Sequence, residues 1–336
     1  MRNRSVANIL ATFRLRKFFL YIRCMRSTAS YLKLFTYYLV LVFCKTAGAQ
    51  TASITKPGDP VIHTEDVNLF YKVYDEAGGH PTTDQLQRDY LDAGTDGLRT
   101  FARLRNTTAQ RIEEAITKQP QLYATARHGA EVLPTVKIRL KQALDKLREI
   151  YPAAKFPAIT IAIGRGKPVA IGSPVSGVQI GLEALCGITY YDKNLEDRFV
   201  HVIAHEYVHV QQPQEMVDDP NPTVLEGSLV EGAADFIGEF ISGGLSNIQL
   251  AVITHGHEAE IESSFVADED KRDLTSWLYN GTMDKSGDIG YWVGYRIVKS
   301  YYQHATDKQA AIREIIEMKD PKAFLAKSGW YPGINL

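Results

Sequence analysis

The sequence predicts an α+β fold, mostly helical, with a small mixed β-sheet ahead of the helix that carries its most suggestive motif. Three observations predict it. Apolar residues recur at helical spacing in the first part of the chain, a block at 158–180 punctuated by glycine and proline reads as short strands, and the helical pattern returns after Cys186. The composition, 45% hydrophobic and 23% charged over 336 residues, is that of a folded globular chain.

Residues 1–49 stand apart. They hold nine Lys and Arg and no Asp or Glu, and Leu34 to Cys44 is an apolar run too short to span a bilayer comfortably. Ala47-Gly48-Ala49 follows as an A-x-A cleavage site before Gln50, so the segment reads as a secretory signal, with an uncleaved anchor as the alternative. Met25 opens a signal of conventional length, which leaves either Met1 or Met25 as the start. Residues 50–336 are expected to form a single exported domain, periplasmic or secreted, with no stable membrane insertion once the signal is gone.

Removing the signal changes the charge. The 38 basic residues less those nine leave 29 against 39 acidic ones, a net of about −10, which argues against nucleic acid as a partner. Cys24 and Cys44 leave with the signal, and Cys186 alone makes no intramolecular disulfide.

In the mature chain, Thr83 to about Lys118 is helix-like. Thr135 to Ile150 is clearer, with Val136, Leu140, Leu144 and Leu147 on one face. Strands follow at Ala158 to Ile163 and within Val169 to Ile180, separated by turns at Gly164 to Pro168 and Ser173 to Gly177. Helices are then expected at Asn194 to Gln212, Thr223 to Ile241, Ile248 to Ser263, Ile289 to Gln303 and Lys308 to Met318.

The motif lies in HVIAHEYVHVQQ, residues 201–212. Positions four apart on a helix share a face about 6 Å apart along the axis, so His205 and His209 can offer two imidazole nitrogens to one zinc ion. Glu206, beside the first, is placed to act as general base on a water at that ion. His201 lies roughly 12 Å of helix rise from His209 and cannot complete the same tetrahedron; it reads as a neighbour on the cleft wall or a surface histidine. So short a pattern also fits a solvated helix face.

A third ligand should come from TVLEGSLVEGAADFIGEF, which starts at Thr223. Thr223 and Glu226 have the form of a capping box, which turns Glu226 back on the helix start and leaves Glu231. Ser228 to Glu231 matches the same pattern if the helix begins late. Glu231 has Asp235 one turn on, where a carboxylate can orient a ligand imidazole. Leu225, Leu229, Phe236 and Phe240 form an apolar stripe opposite Glu231, Asp235 and Ser242.

HEYVH, then SLVEGAADF, then GYWVGYRIVKSYY from Gly290 resemble a bacterial family of predicted zinc-dependent proteases, gluzincin-like in their His, His, Glu ligation. LFYKVYDEA at 69–77, DYLDAGTDGL at 89–98 and the segment from Ile159 to Glu183 extend the resemblance. It implies a gluzincin or thermolysin-like metallopeptidase fold holding one zinc per chain and acting on a peptide or protein. The 21 residues between His209 and Glu231 exceed the thermolysin-like spacing slightly, so the loop at Pro213 to Pro222 has no counterpart by analogy.

Hydrolysis needs a donor for the oxyanion. Tyr291 and Tyr295 share one helical face and are the candidates, with core packing as their other reading and His255 and His257 as competitors. The strand at Ala158 to Ile163, or its partner, is a candidate edge for an extended peptide. A non-catalytic exported zinc-binding or interaction protein on a peptidase scaffold is the alternative function; an intact Glu206 argues against it in part.

Overall fold

The first described strand is the shortest. The structure, a computed structural model, describes residues 60–282 and 287–336, all within one compact unit, Pro57–Leu336. The expected signal segment at 1–49 lies outside the described residues.

Strand β1 (Ile62–His63) leads into α1 (Glu65–Glu76). The region read as one helix from Thr83 to Lys118 is three pieces: α2 (Thr83–Gln85), continuing into a π-helical turn at Leu86–Leu91, then α3 (Asp96–Leu104) and α4 (Ala109–Lys118). Thr95 and Thr108 cap the starts of α3 and α4 by accepting from Leu98 N and Arg111 N, which sets the breaks.

Helix α5 runs from Pro120 to Ile150 with Pro134 inside it. A proline costs the helix one backbone hydrogen bond, but Ala126, Gly129, Leu133, Val136, Leu140 and Leu144 continue a single buried stripe across it. Tertiary burial therefore carries the helix past a position that reads as its start.

The sheet has the order β1-β2-β4-β3, with β2 at Ile159–Ala162, β3 at Ala170–Ser173 and β4 at Gly177–Gly181. β1 and β4 flank β2 in parallel, and β3 pairs with β4 antiparallel, so the sheet is mixed. β2 is buried at every residue and lies inside the sheet, whose two edges are its partner β1 and the antiparallel β3. Short α6 (Leu182–Gly187) leaves the sheet.

Helix α7 (Leu195–His209) starts at Asn194, whose side chain accepts from Glu196 N and Asp197 N, with those two acids on the positive end of the helix. A turn of helix, α8 (Gln214–Val217), occupies the loop before α9 (Val224–Ser242). The capping box of Thr223 and Glu226 is present, and Gly243, at φ +88°, ends α9 in the left-handed conformation. α9 is buried on nearly all sides, including the face that reads as polar, because it packs between α7 and α12 (Ile289–His304). The expected helix at Ile248 to Ser263 is two, α10 (Ile248–Thr254) and α11 (Glu258–Asp268), broken at Gly256 with φ +81°. α13 (Lys308–Ile316) and α14 (Pro321–Lys327) close the chain.

Two backbone contacts set the depth of this packing. A Cβ on Gly294 would lie 1.7 Å from Ser228 O, and one on Gly232 would lie 2.1 Å from the Gly294 carbonyl carbon. A Cβ on Gly238 would come within 3.2 Å of the His205 backbone. Small residues thus let α9 approach α12 and α7 closely enough for carboxylates on α9 to reach the imidazoles on α7.

Candidate metal centre

His205 and His209 lie one turn apart on α7, and Glu231 faces them from α9; all three are buried. His209 Nε2 is 3.1 Å from His205 Nε2, and Glu231 Oε2 is 3.2 Å from each. Bonds of about 2.0–2.1 Å from a tetrahedral zinc give donor-to-donor edges of about 3.3–3.4 Å. The three atoms form nearly such a face.

Their partners fix which atoms are free. His205 Nδ1 lies 2.8 Å from Asp235 Oδ1, a carboxylate that only accepts, so this nitrogen carries the proton and Nε2 presents its lone pair. Asp235 is held by Ser246 Oγ and by Asn247 Nδ2 at 3.2 and 3.3 Å. His209 Nδ1 lies 2.7 Å from Gln212 Oε1, and the Gln212 amide is oriented by donating from Nε2 to Val230 O at 2.8 Å. Glu231 Oε1 accepts from the Tyr279 hydroxyl at 2.9 Å, leaving Oε2 toward the imidazoles.

Three acceptor atoms at this spacing call for a cation, and the electrostatics agree. Burial opposes charge on His205, but Asp235 and Glu231 outweigh it and raise its pKa well above the ordinary histidine value; Glu231 does the same for His209. Burial pushes the Glu231 carboxyl up, yet His209 and His205 hold it well below the usual carboxylate range. The same carboxylates that favour positive charge on the imidazoles would favour an ion in place of their Nε2 protons, and two imidazoles then neutral with one carboxylate, each steered by a second group, are a donor set that suits zinc.

Glu206 is not one of the three. Among the described residues its carboxylate has no hydrogen-bond partner, and burial, reinforced by Glu231, raises its pKa against the pull of His205, His209 and Arg105. Edge strand β3 lies directly on it: a Cβ on Gly172 would sit 2.0 Å from Glu206 O.

Residues 139–322 match the family described as "Predicted Zn-dependent protease (DUF2268)". The chain belongs to this family. No curated protein and no solved structure matches the chain. The predicted Zn-dependent protease match spans α7, α9 and α12 and the site residues from His205 to Tyr279 described above, whereas the segments at 69–77 and 89–98 lie outside it.

The other candidates divide. Tyr291 places its ring against His205, centroids 6.1 Å apart at 16°. Tyr295 is not brought to the donors, because its hydroxyl donates to Glu239 Oε2 at 2.6 Å, two turns beyond Glu231 on α9. His201 is buried rather than on the surface, at 7% exposure, with Nδ1 2.9 Å from Ser242 Oγ. Glu226 is spent on the cap of α9, and His255 and His257 are exposed away from the donors.

Two functional neighbours escape the sequence reading. Gln212 follows His209 by three residues, so helical spacing alone places it within reach. Tyr279 sits in a turn, at φ +57°, where a tyrosine costs roughly 1–2 kcal/mol, and only the adjacent Asn280-Gly281 marks that turn in the sequence. Asp235→Asn should weaken zinc affinity about 10- to 100-fold, because the neutral amide orients and polarises His205 less strongly. Competition against a chromogenic chelator measures this, and an unchanged affinity would remove Asp235 from the site.

Proposed function

We propose that the chain is an exported zinc-dependent peptidase with a thermolysin-like placement of its ligands. The observation that carries this is the triangle of Nε2, Nε2 and Oε2 atoms, 3.1–3.2 Å on a side, with the carboxylate of Glu206, without a hydrogen-bond partner among the described residues, on the helix of the two histidines. His205, His209 and Glu231 would hold the ion, one per chain, and three protein ligands leave a position for water. When bound, zinc supplies Lewis-acid activation of that water and of the scissile carbonyl.

The protein's own part is proton transfer and alignment. Glu206 takes the proton of the attacking water and passes it to the leaving amine, a shuttle aided by its raised pKa. An extended peptide adding to the edge of β3 (Ala170–Ser173) would run past Glu206, since Gly172 already touches its backbone. Metal analysis of the purified protein together with cleavage of a mixed-peptide pool tests the reading. Stoichiometric zinc with zinc-dependent cleavage is expected; zinc without cleavage would favour the non-catalytic zinc-binding alternative.

The export part has its own test. Mass spectrometry of periplasmic or secreted material should find an N-terminus at or near Gln50, as the basic, apolar and A-x-A order of the leader requires. A cytosolic product retaining Leu34 to Cys44 would overturn it.

A further inference from the structure

Each of the three ligand side chains leans on one further group, and the three supports differ in one respect. Asp235 behind His205 and Gln212 behind His209 are 3% and 5% exposed, whereas Tyr279, on Glu231, is 61% exposed. Two supports are enclosed by protein. The third delivers a hydroxyl to the donor triangle from the solvent side, the side from which a substrate must arrive.

The backbone around Tyr279 is built to hold it there. Tyr279 and Asp288 both adopt left-handed conformations, at φ +57° and +61°, which side chains larger than glycine rarely take. Asn280 N donates to Asp288 Oδ1 at 2.8 Å, Asp288 N donates to Asn280 Oδ1 at 2.6 Å, and Asn280 Nδ2 donates to Thr275 O at 2.7 Å. This reciprocal clamp ties Asn280, the neighbour of Tyr279, to Asp288, and the Tyr279 ring meets Tyr291 edge-on at 6.3 Å, which in turn stacks on His205. Strain retained at a tyrosine whose hydroxyl reaches a ligand carboxylate points to work done by that hydroxyl.

We infer that Tyr279, rather than Tyr291 or Tyr295, is the hydroxyl that touches substrate: it hydrogen-bonds the carbonyl oxygen of the scissile bond as negative charge builds there. The inference rests on the peptidase reading. No proton leaves the tyrosine; its O–H exchanges one acceptor, Glu231 Oε1, for another, the substrate oxygen. Tyr295 is committed to Glu239, and Tyr291 presents a ring face to His205. A neutral donor aimed at developing charge is the arrangement that favours the transition state over the ground state.

Tyr279→Phe removes the hydroxyl and keeps the ring. Its cobalt-substituted form should load as fully as wild type but bind acetohydroxamate, read from the visible cobalt spectrum, at least about 10-fold more weakly. On a peptide that wild type cleaves, kcat should fall by roughly 100-fold or more with KM little changed. Unchanged acetohydroxamate affinity would overturn the inference. So would a loss of metal loading whose correction by excess metal restores kcat, since Tyr279 would then only steady Glu231. A larger loss of acetohydroxamate in Tyr291→Phe than in Tyr279→Phe would transfer the role to Tyr291. If zinc-loaded wild type cleaves nothing while Tyr279→Phe still weakens acetohydroxamate, the peptidase reading falls and the contact made by Tyr279 stands.

Discussion

Replacing Glu206 by Gln is expected to lower peptide hydrolysis by about 100- to 10,000-fold while zinc stays at one per chain. The two halves of this result have separate causes. Glu206 is not among the three donor atoms that approach one another, so an amide of nearly the same size leaves the ligand set complete. The amide takes up no proton at neutral pH, so the transfer from water to leaving amine loses its carrier. Folding is a control that circular dichroism and thermal melting supply. Equal turnover by wild type and Glu206→Gln would show that the cleavage arises elsewhere, and the non-catalytic zinc-protein reading would then lead.

His205→Ala or His209→Ala should reduce zinc from about one per chain to near zero after dialysis against a moderate chelator. Each removes one corner of the triangle and leaves two ligands, too few for a tight site. Added zinc should raise the melting temperature of wild type, because binding to the native state alone stabilises it by mass action, and should leave both variants unmoved. His205→Ala also strips Asp235 of its imidazole partner, but Ser246 and Asn247 still donate to that carboxylate, so the fold should survive the change. Full retention of zinc in both variants would sink the assignment.

Much of this centre was legible because it is local. The i, i+4 spacing of His205 and His209 depends on helix geometry alone, and Thr223 with Glu226 marks the start of the next helix by side-chain chemistry. What the residues could not reveal depends on tertiary contact. The helix through Pro134 is held by burial on both sides of the proline, and the polar face of α9 bearing Glu231 and Asp235 shows nothing in the sequence of how closely α7 and α12 enclose it. Tyr279 lies 48 residues beyond Glu231 in a non-helical turn, so no periodicity links them. Tyr295, which shares a helical face with Tyr291, was drawn off by Glu239, a pairing that only the crossing of α9 and α12 creates.

The glycine contact at Gly238 has a consequence for which ions the site would accept. At Gly238 the backbones of α9 and α7 lie so near that even a methyl group would be crowded, 3.2 Å from the His205 backbone. An ion needing bonds of about 2.3–2.4 Å would stretch the edges of a tetrahedral face to about 3.8–3.9 Å and would press α9 away from α7. The spacing of the donors would thus be set partly by the main chain, outside the coordinating side chains, and a single methyl group added at Gly238 would alter it without replacing any atom of the donor set.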